Sequence, residues 1–202
     1  MPTSPTASPT VKSTIGLQGM VIAPLTADTV SGHTYGTLQA VAGIISASIS
    51  PNNTDPDIQY ADDIEFDKVT PDPDVSFNTT LADLPLAIQE MVYGANIDDN
   101  GVLIQTSTDE PPYFAVGFKS EKADHTYRYV WLYKCRATIV SDSYNTKEGD
   151  TITRQTPEVN WTAIKRTHDN RWRATADEGQ NGFTTAMAAT FLESVYEPTF
   201  TP

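Results

Sequence analysis

The clearest order in this chain is the alternation of its apolar residues. Phe114, Val116 and Phe118 alternate with small or polar neighbours, which is the two-residue period of a strand with one face buried. A turn near Lys122-Ala123-Asp124 follows. Residues 126–140 then place Tyr127, Tyr129, Trp131, Tyr133 and Cys135 on one face, and Arg128, Val130, Leu132, Lys134 and Arg136 on the other. Both faces are partly apolar, which predicts a central strand. Residues 151–165 are extended again, with Val159, Trp161 and Ala163 on one side. Together these runs read as a long hairpin whose polar tip lies near 145–149.

The flanking segments carry weaker versions of the same signal. Residues 19–25 predict a first strand ended by Pro24, and 27–37 a Gly/Ser/Thr loop. Residues 38–49, with Ile44, Ile45 and Ile49, predict another strand, closed by the turn Pro51-Asn52-Asn53. Residues 58–66 alternate well enough for one more, which Pro71-Asp72-Pro73 separates from a strand starting at Val75. A helix is predicted over 84–93: Asp83 suits the N-cap, Pro85 the first turn and Gly94 the C-cap. Leu84, Ile88, Met91 and Val92 share one helical face. Asn100-Gly101 marks a turn between Ile97 and 102–104. Residues 171–176 predict a strand. A second short helix is predicted over 182–195, with Phe183, Met187, Phe191 and Val195 loosely aligned. The expected fold is therefore mainly β, of the α+β kind, with eight to ten strands and two short helices. The expected organisation is an extended arm over 1–16, one domain over 17–196 and a tail over 197–202. Residues 1–14, rich in Thr, Ser and Pro, have no hydrophobic pattern and lean toward extended shapes.

Composition narrows the function classes. Hydrophobic residues make up 39% and charged residues 19%, both low for a compact globular protein. The single cysteine, Cys135, excludes a scaffold of intrachain disulfides. The N-terminus has neither the positive region nor the apolar run of a signal peptide, and no stretch nears the roughly 20 apolar residues of a membrane span. Charge is distributed unevenly. Residues 51–110 hold fourteen acids and one base, whereas 111–175 hold eleven bases and seven acids, within a net charge of −13. A subunit with unlike sides suits head-to-tail stacking, although acidic loops also serve solubility alone.

Catalytic chemistry is not expected. His33, His125 and His168 are scattered and Cys135 stands apart from them, so there is no zinc pattern. No nucleophile elbow or phosphate-binding loop occurs. Cys135 on the aromatic face reads as a buried, inert thiol. Asp62, Asp63, Glu65 and Asp67 are the one carboxylate cluster. A glycosidase pair needs a cleft around it, and the spacing is not that of a calcium loop. Neither metal nor cofactor is expected.

The order of several short motifs adds a further reading. These are Tyr113-Phe114-Ala115-Val116-Gly117-Phe118, Tyr129-Val130-Trp131-Leu132-Tyr133-Lys134, Thr146-Lys147-Glu148-Gly149-Asp150, Gln155-Thr156-Pro157-Glu158 and Thr162-Ala163. Upstream stand Tyr60-Ala61-Asp62-Asp63 and the Leu84-Pro85-Leu86 helix ending at Gly94. In this order they resemble the major tail tube proteins of long-tailed bacteriophages, the phi13-type major tail protein family, over most of 17–196. The first 14 residues and 27–36 carry none of the resemblance. It implies a β-sandwich or barrel domain with a flanking helix. Six copies would form a ring with joined inner sheets, and rings would stack into the hollow tail tube of a virion through which DNA passes. It implies contacts with further copies of the chain and with tape measure, tail terminator and distal tail proteins, and assembly from subunits made in a host cytoplasm. On it, Asp62, Asp63, Glu65 and Asp67 are candidates for the lumen. Tyr144, Asn145, Lys147, Glu148 and Asp150 are candidates for a contact between subunits or rings, and Pro5, Pro9 and Val11 for the arm. Two alternatives stand beside it. One is a β-sandwich decoration, receptor- or glycan-binding module presenting Tyr127, Tyr129, Trp131 and Tyr133 as an open platform. The other is a carboxylate hydrolase built on Asp62 and Asp63.

Overall fold

The computed structural model describes residues 12–52, 57–61, 64–69, 74–138, 146 and 154–200; within 57–69 only Gln59 and Phe66 have described side chains. Along the chain run β1 (Thr14–Thr29), β2 (Gly32–Tyr35), β3 (Gln39–Val41), β4 (Ile44–Pro51), β5 (Asp57–Ala61), β6 (Ile64–Val69) and β7 (Val75–Leu81). Helix α1 (Leu86–Tyr93) precedes β8 (Asn96–Ile97), β9 (Leu103–Ile104), β10 (Tyr113–Lys122), β11 (Tyr127–Thr138), β12 (Glu158–Ala163) and β13 (Arg173–Asp177), and α2 (Thr185–Thr190) comes last. The fold is mainly β, as the alternation predicts. Nine strands make one antiparallel sheet in the order β2-β1-β10-β11-β12-β7-β4, with β3 added on β1 and β13 on β11.

Strands β1, β10 and β11 are apolar at odd and even positions alike, so the sheet carries a core on each face. Met20, Ile22, Phe77, Phe114, Val116, Phe118, Leu132 and Trp161 fill the first core, with Val92 and Tyr93 of α1 over them. Val21, Ala23, Ala115, Tyr129, Trp131 and Tyr133 form the second, closed by Phe191. Trp131 lies flat against the β10 backbone. A Cβ on Gly117 would stand 2.8 Å from its ring, so this strand position has no room for a side chain.

A bulge corrects one expectation. Phe114 pairs with Cys135 and Val116 with Leu132, so three residues of β11 advance while β10 advances two. The extra residue inverts the parity of the positions after it. Cys135 and Ala137 therefore join the first core and leave the tyrosine–tryptophan face on which alternation had placed Cys135.

Other boundaries shift for local reasons. Pro24 does not end β1. Pairing with β10 stops at Pro24 and pairing with β2 starts at Leu25, so the missing N–H falls where the strand changes partner. Residues 27–37 are not a loop but include the β1–β2 hairpin. The strand predicted over 38–49 breaks at Gly43, whose φ of +80° suits glycine, into β3 and β4. The strand predicted over 58–66 is instead the hairpin β5–β6, with Ala61 opposite Ile64. Helix α1 starts at Leu86 rather than 84. Pro85 is its N-cap residue, while the Asp83 carboxylate accepts the Leu84 N–H at 2.9 Å. Gly94 closes the helix at φ +68°, and a Cβ there would meet the Glu110 carbonyl oxygen at 2.4 Å.

Helix α2 is much shorter than the 182–195 expected. Thr184 Oγ1 caps it by accepting the Met187 N–H at 3.3 Å. Beyond it, β11 captures the chain. The Phe191 carbonyl accepts the Trp131 Nε1–H and the Tyr196 carbonyl accepts the Tyr133 hydroxyl, each at 2.9 Å. Residues 191–197 thus lie as a strap across the second core.

Candidate functional site

The candidate residues read from the sequence fall largely outside the described structure. Pro5, Pro9 and Val11, Tyr144, Asn145, Lys147, Glu148 and Asp150, and Asp62 and Asp63 all lie outside the described residues. Glu65 and Asp67 have a described backbone in β6, on the ribbon β5–β6. The stretch 57–69 runs between β4 and β7, which pair with each other. The aromatic platform is contradicted. Tyr129, Trp131 and Tyr133 are buried under Phe191 and the strap. The Cys135 thiol is enclosed too, and burial pushes its pKa up.

The densest polar assembly among the described residues surrounds Arg166, whose side chain is 0% exposed. Its guanidinium donates to Asp169 at 3.1 and 2.5 Å, to Glu197 at 2.6 and 3.0 Å and to the Tyr35 hydroxyl at 3.3 Å, and His33 Nε2 lies 3.0 Å from it and 2.9 Å from the Glu197 carboxylate. It also stacks 4.1 Å from the centre of the Tyr133 ring. Burial alone would weaken its hold on the proton, but the bonds to Glu197 and Asp169 outweigh that and keep it charged. Burial pushes the Tyr133 hydroxyl up to about 12, with Glu197 adding to the effect. Each carboxylate here faces a cation, and the one buried arginine fastens β2, β11, the loop 166–171 and the strap together. A second ion pair supports it. Asp28 accepts from Lys134 Nζ at 2.6 Å and from the backbone N–H groups of Thr167 (2.8 Å) and His168 (3.1 Å). Burial raises the Asp28 carboxyl, yet these donors bring it down to about 2. Sequence reading missed both clusters, because each joins residues 28–35 to partners roughly a hundred or more positions further along and no local motif links them.

The surface features able to engage another molecule are strand edges. β4 is the end of the sheet path and pairs only with β7 among the described residues. It carries no charged side chain in eight residues. Ser46, Ser48 and Ser50 are exposed along it, and Ile45 is 52% exposed. Edges are ordinarily blunted by lysine, a bulge or early termination; β4 has a single register shift near Ile44 and a proline only at its last position. β13 likewise pairs only with β11. Beside it lies a cleft of about 450 Å³ lined by Thr175, Ala176, Asp177, Phe183, Met187 and Tyr196, among others. No helix among the described residues is long and apolar enough to cross a membrane. No family model and no curated protein matches this chain.

Proposed function

We propose that this chain is a virion structural subunit that joins copies of itself into stacked hexameric rings, forming the tail tube of a long-tailed bacteriophage. The observation that carries the reading is the long, uncharged edge of β4, which pairs only with β7 among the described residues and which a neighbour's strand would complete. A heterologous contact that closes in the plane makes a ring, and one repeated along an axis makes a filament. The order of the short motifs supplies the resemblance to tail tube proteins. The burial of the tyrosine–tryptophan face under the strap removes the feature on which a binding platform depended. In this reading the acid-rich stretch holding Asp62, Asp63, Glu65 and Asp67 faces the channel. Its charge would keep DNA phosphates moving rather than bound. The subunit would then act without catalysis and reside in the virion tail.

Negative-stain electron microscopy of the purified, concentrated chain tests the proposal. Rings or hollow tubes of uniform diameter are the expected result. A strictly monomeric species at high concentration, with and without added tail-initiation components, would refute it.

A further inference from the structure

We propose that Asn181 is a site of hydrolytic deamidation, at which the folded subunit exchanges a neutral amide for a carboxylate in the cleft beside β13. The inference does not depend on the self-assembly reading.

Asparagine is followed by glycine twice in this chain, at Asn100-Gly101 and at Asn181-Gly182. This dipeptide is open to a reaction that needs only water. The glycine amide nitrogen attacks asparagine Cγ. The N–Cγ bond forms, the Cγ–Nδ2 bond breaks, and ammonia leaves with the amide proton. Water then opens the cyclic imide. Opening at Cγ gives aspartate; opening at the backbone carbonyl gives isoaspartate, whose main chain runs through Cγ. Glycine favours the attack because it has no Cβ to crowd the nitrogen and lets the chain rotate. The fold then decides whether that nitrogen can reach Cγ.

The two sites are alike in exposure and backbone. Asn100, Gly101, Asn181 and Gly182 are all exposed, and the glycines have φ +80° and +90°. They differ in what holds them. The Gly101 N–H donates to the Asp98 carbonyl at 2.9 Å, so the attacking nitrogen is tied down. The Asp98 carboxylate accepts the Asn100 N–H at 2.9 Å, its side-chain amide at 3.3 Å and the Val102 N–H at 2.8 Å. Nucleophile and leaving group are thus fastened to one residue, and reaction requires that set to open. At the second site the Phe183 N–H donates to the Gln180 carbonyl at 3.0 Å, which closes a turn with Asn181 and Gly182 at its centre. Among the described residues neither the Gly182 N–H nor the Asn181 side chain makes a hydrogen bond. Local opening is therefore easier at Asn181 than at Asn100.

The product has a defined setting. Asn181 lines the cleft together with Asp177, whose carboxylate is already shared by Lys122 at 2.8 Å and Arg128 at 2.6 Å. No cation lines the cleft among the described residues, so the new carboxylate has no partner there. The isoaspartate form also lengthens the main chain just ahead of Phe183, which packs on Tyr129 and Phe191.

The test incubates the full folded chain at mildly alkaline pH and follows both sites by peptide-mapping mass spectrometry, with isoaspartate scored by an isoaspartate-directed carboxyl methyltransferase. Asn181 should convert at least about fivefold faster than Asn100, the factor that one net hydrogen bond supplies. In urea the two rates should converge. Asp98→Ala removes the acceptor that holds Asn100 and should speed conversion there while leaving Asn181 unchanged. Equal rates in the folded chain, or faster conversion at Asn100, would overturn the proposal. So would a difference that persists in urea, an Asn100 rate indifferent to Asp98→Ala, or a folded chain in which Asn181 stays intact while the unfolded chain converts.

Discussion

The Asp28 carboxylate makes a sharp prediction about acid stability. Its side chain is 6% exposed, so solvent does little to soften its interactions. Its pKa falls from 3.8 to about 2 in the folded chain, which corresponds to about 2 kcal/mol at 1.36 kcal/mol per pKa unit. Because the folded value lies below the unfolded one, this stabilisation is fully present above about pH 4 and is lost as pH falls through about 2. Asp28→Asn keeps the size and an acceptor oxygen but removes the charge that faces Lys134. At pH 6 the wild type should be more stable by about 2 kcal/mol, and the gap should close between pH 4 and pH 2. Urea unfolding at pH 6, 4, 3 and 2, followed by the fluorescence of buried Trp131 and Trp161, measures it. Asp177 and Asp124 also sit at about 2, but both proteins share them, so the difference isolates Asp28. A gap that stays constant from pH 6 to pH 2 would refute the reasoning.

Three further outcomes rest on the same geometry. Ser48→Lys places a charge on the open edge of β4, at an exposed position. It should block ring and tube formation by light scattering while changing the unfolding free energy by less than about 0.5 kcal/mol. Gly94→Ala combines φ +68° with a 2.4 Å approach to the Glu110 carbonyl and should cost at least ~2 kcal/mol in chemical denaturation. Arg166→Met leaves Asp169, Glu197 and the Tyr35 hydroxyl without their shared cation. It should destabilise by ~3–5 kcal/mol and open the chain to protease first within 191–200.

Legibility from the sequence followed the range of the forces involved. Phe114, Val116 and Phe118, and Val159, Trp161 and Ala163, all fall in the first core because strand parity is a local property. Where one extra residue enters β11, the same rule misplaces Cys135, since a bulge leaves no mark in hydrophobicity. The hairpin β5–β6 was hidden for a related reason: Ile58, Tyr60, Ile64 and Phe66 keep one parity on both sides of its tip, imitating a single strand. Pro24 looked like a terminus because the change of partner strand at that point cannot be seen without β2 and β10. The Arg166 assembly joins residues 33, 35, 133, 166, 169 and 197, and only the folded sheet brings these together. Among the residues proposed for the lumen and the inter-ring contact, identity suggested a role while position within the described fold did not.

The strap has a consequence for the order in which the molecule matures. All thirteen described strands precede Phe191 and Glu197 along the chain, yet the face holding Trp131 and Tyr133 stays uncovered until those two residues arrive. During synthesis the sheet can pair long before its second side is dry, because the segment that seals it emerges after all of these strands. A chain cut short before Phe191 therefore displays a sticky aromatic surface, and only one that includes the strap can offer its edges without it.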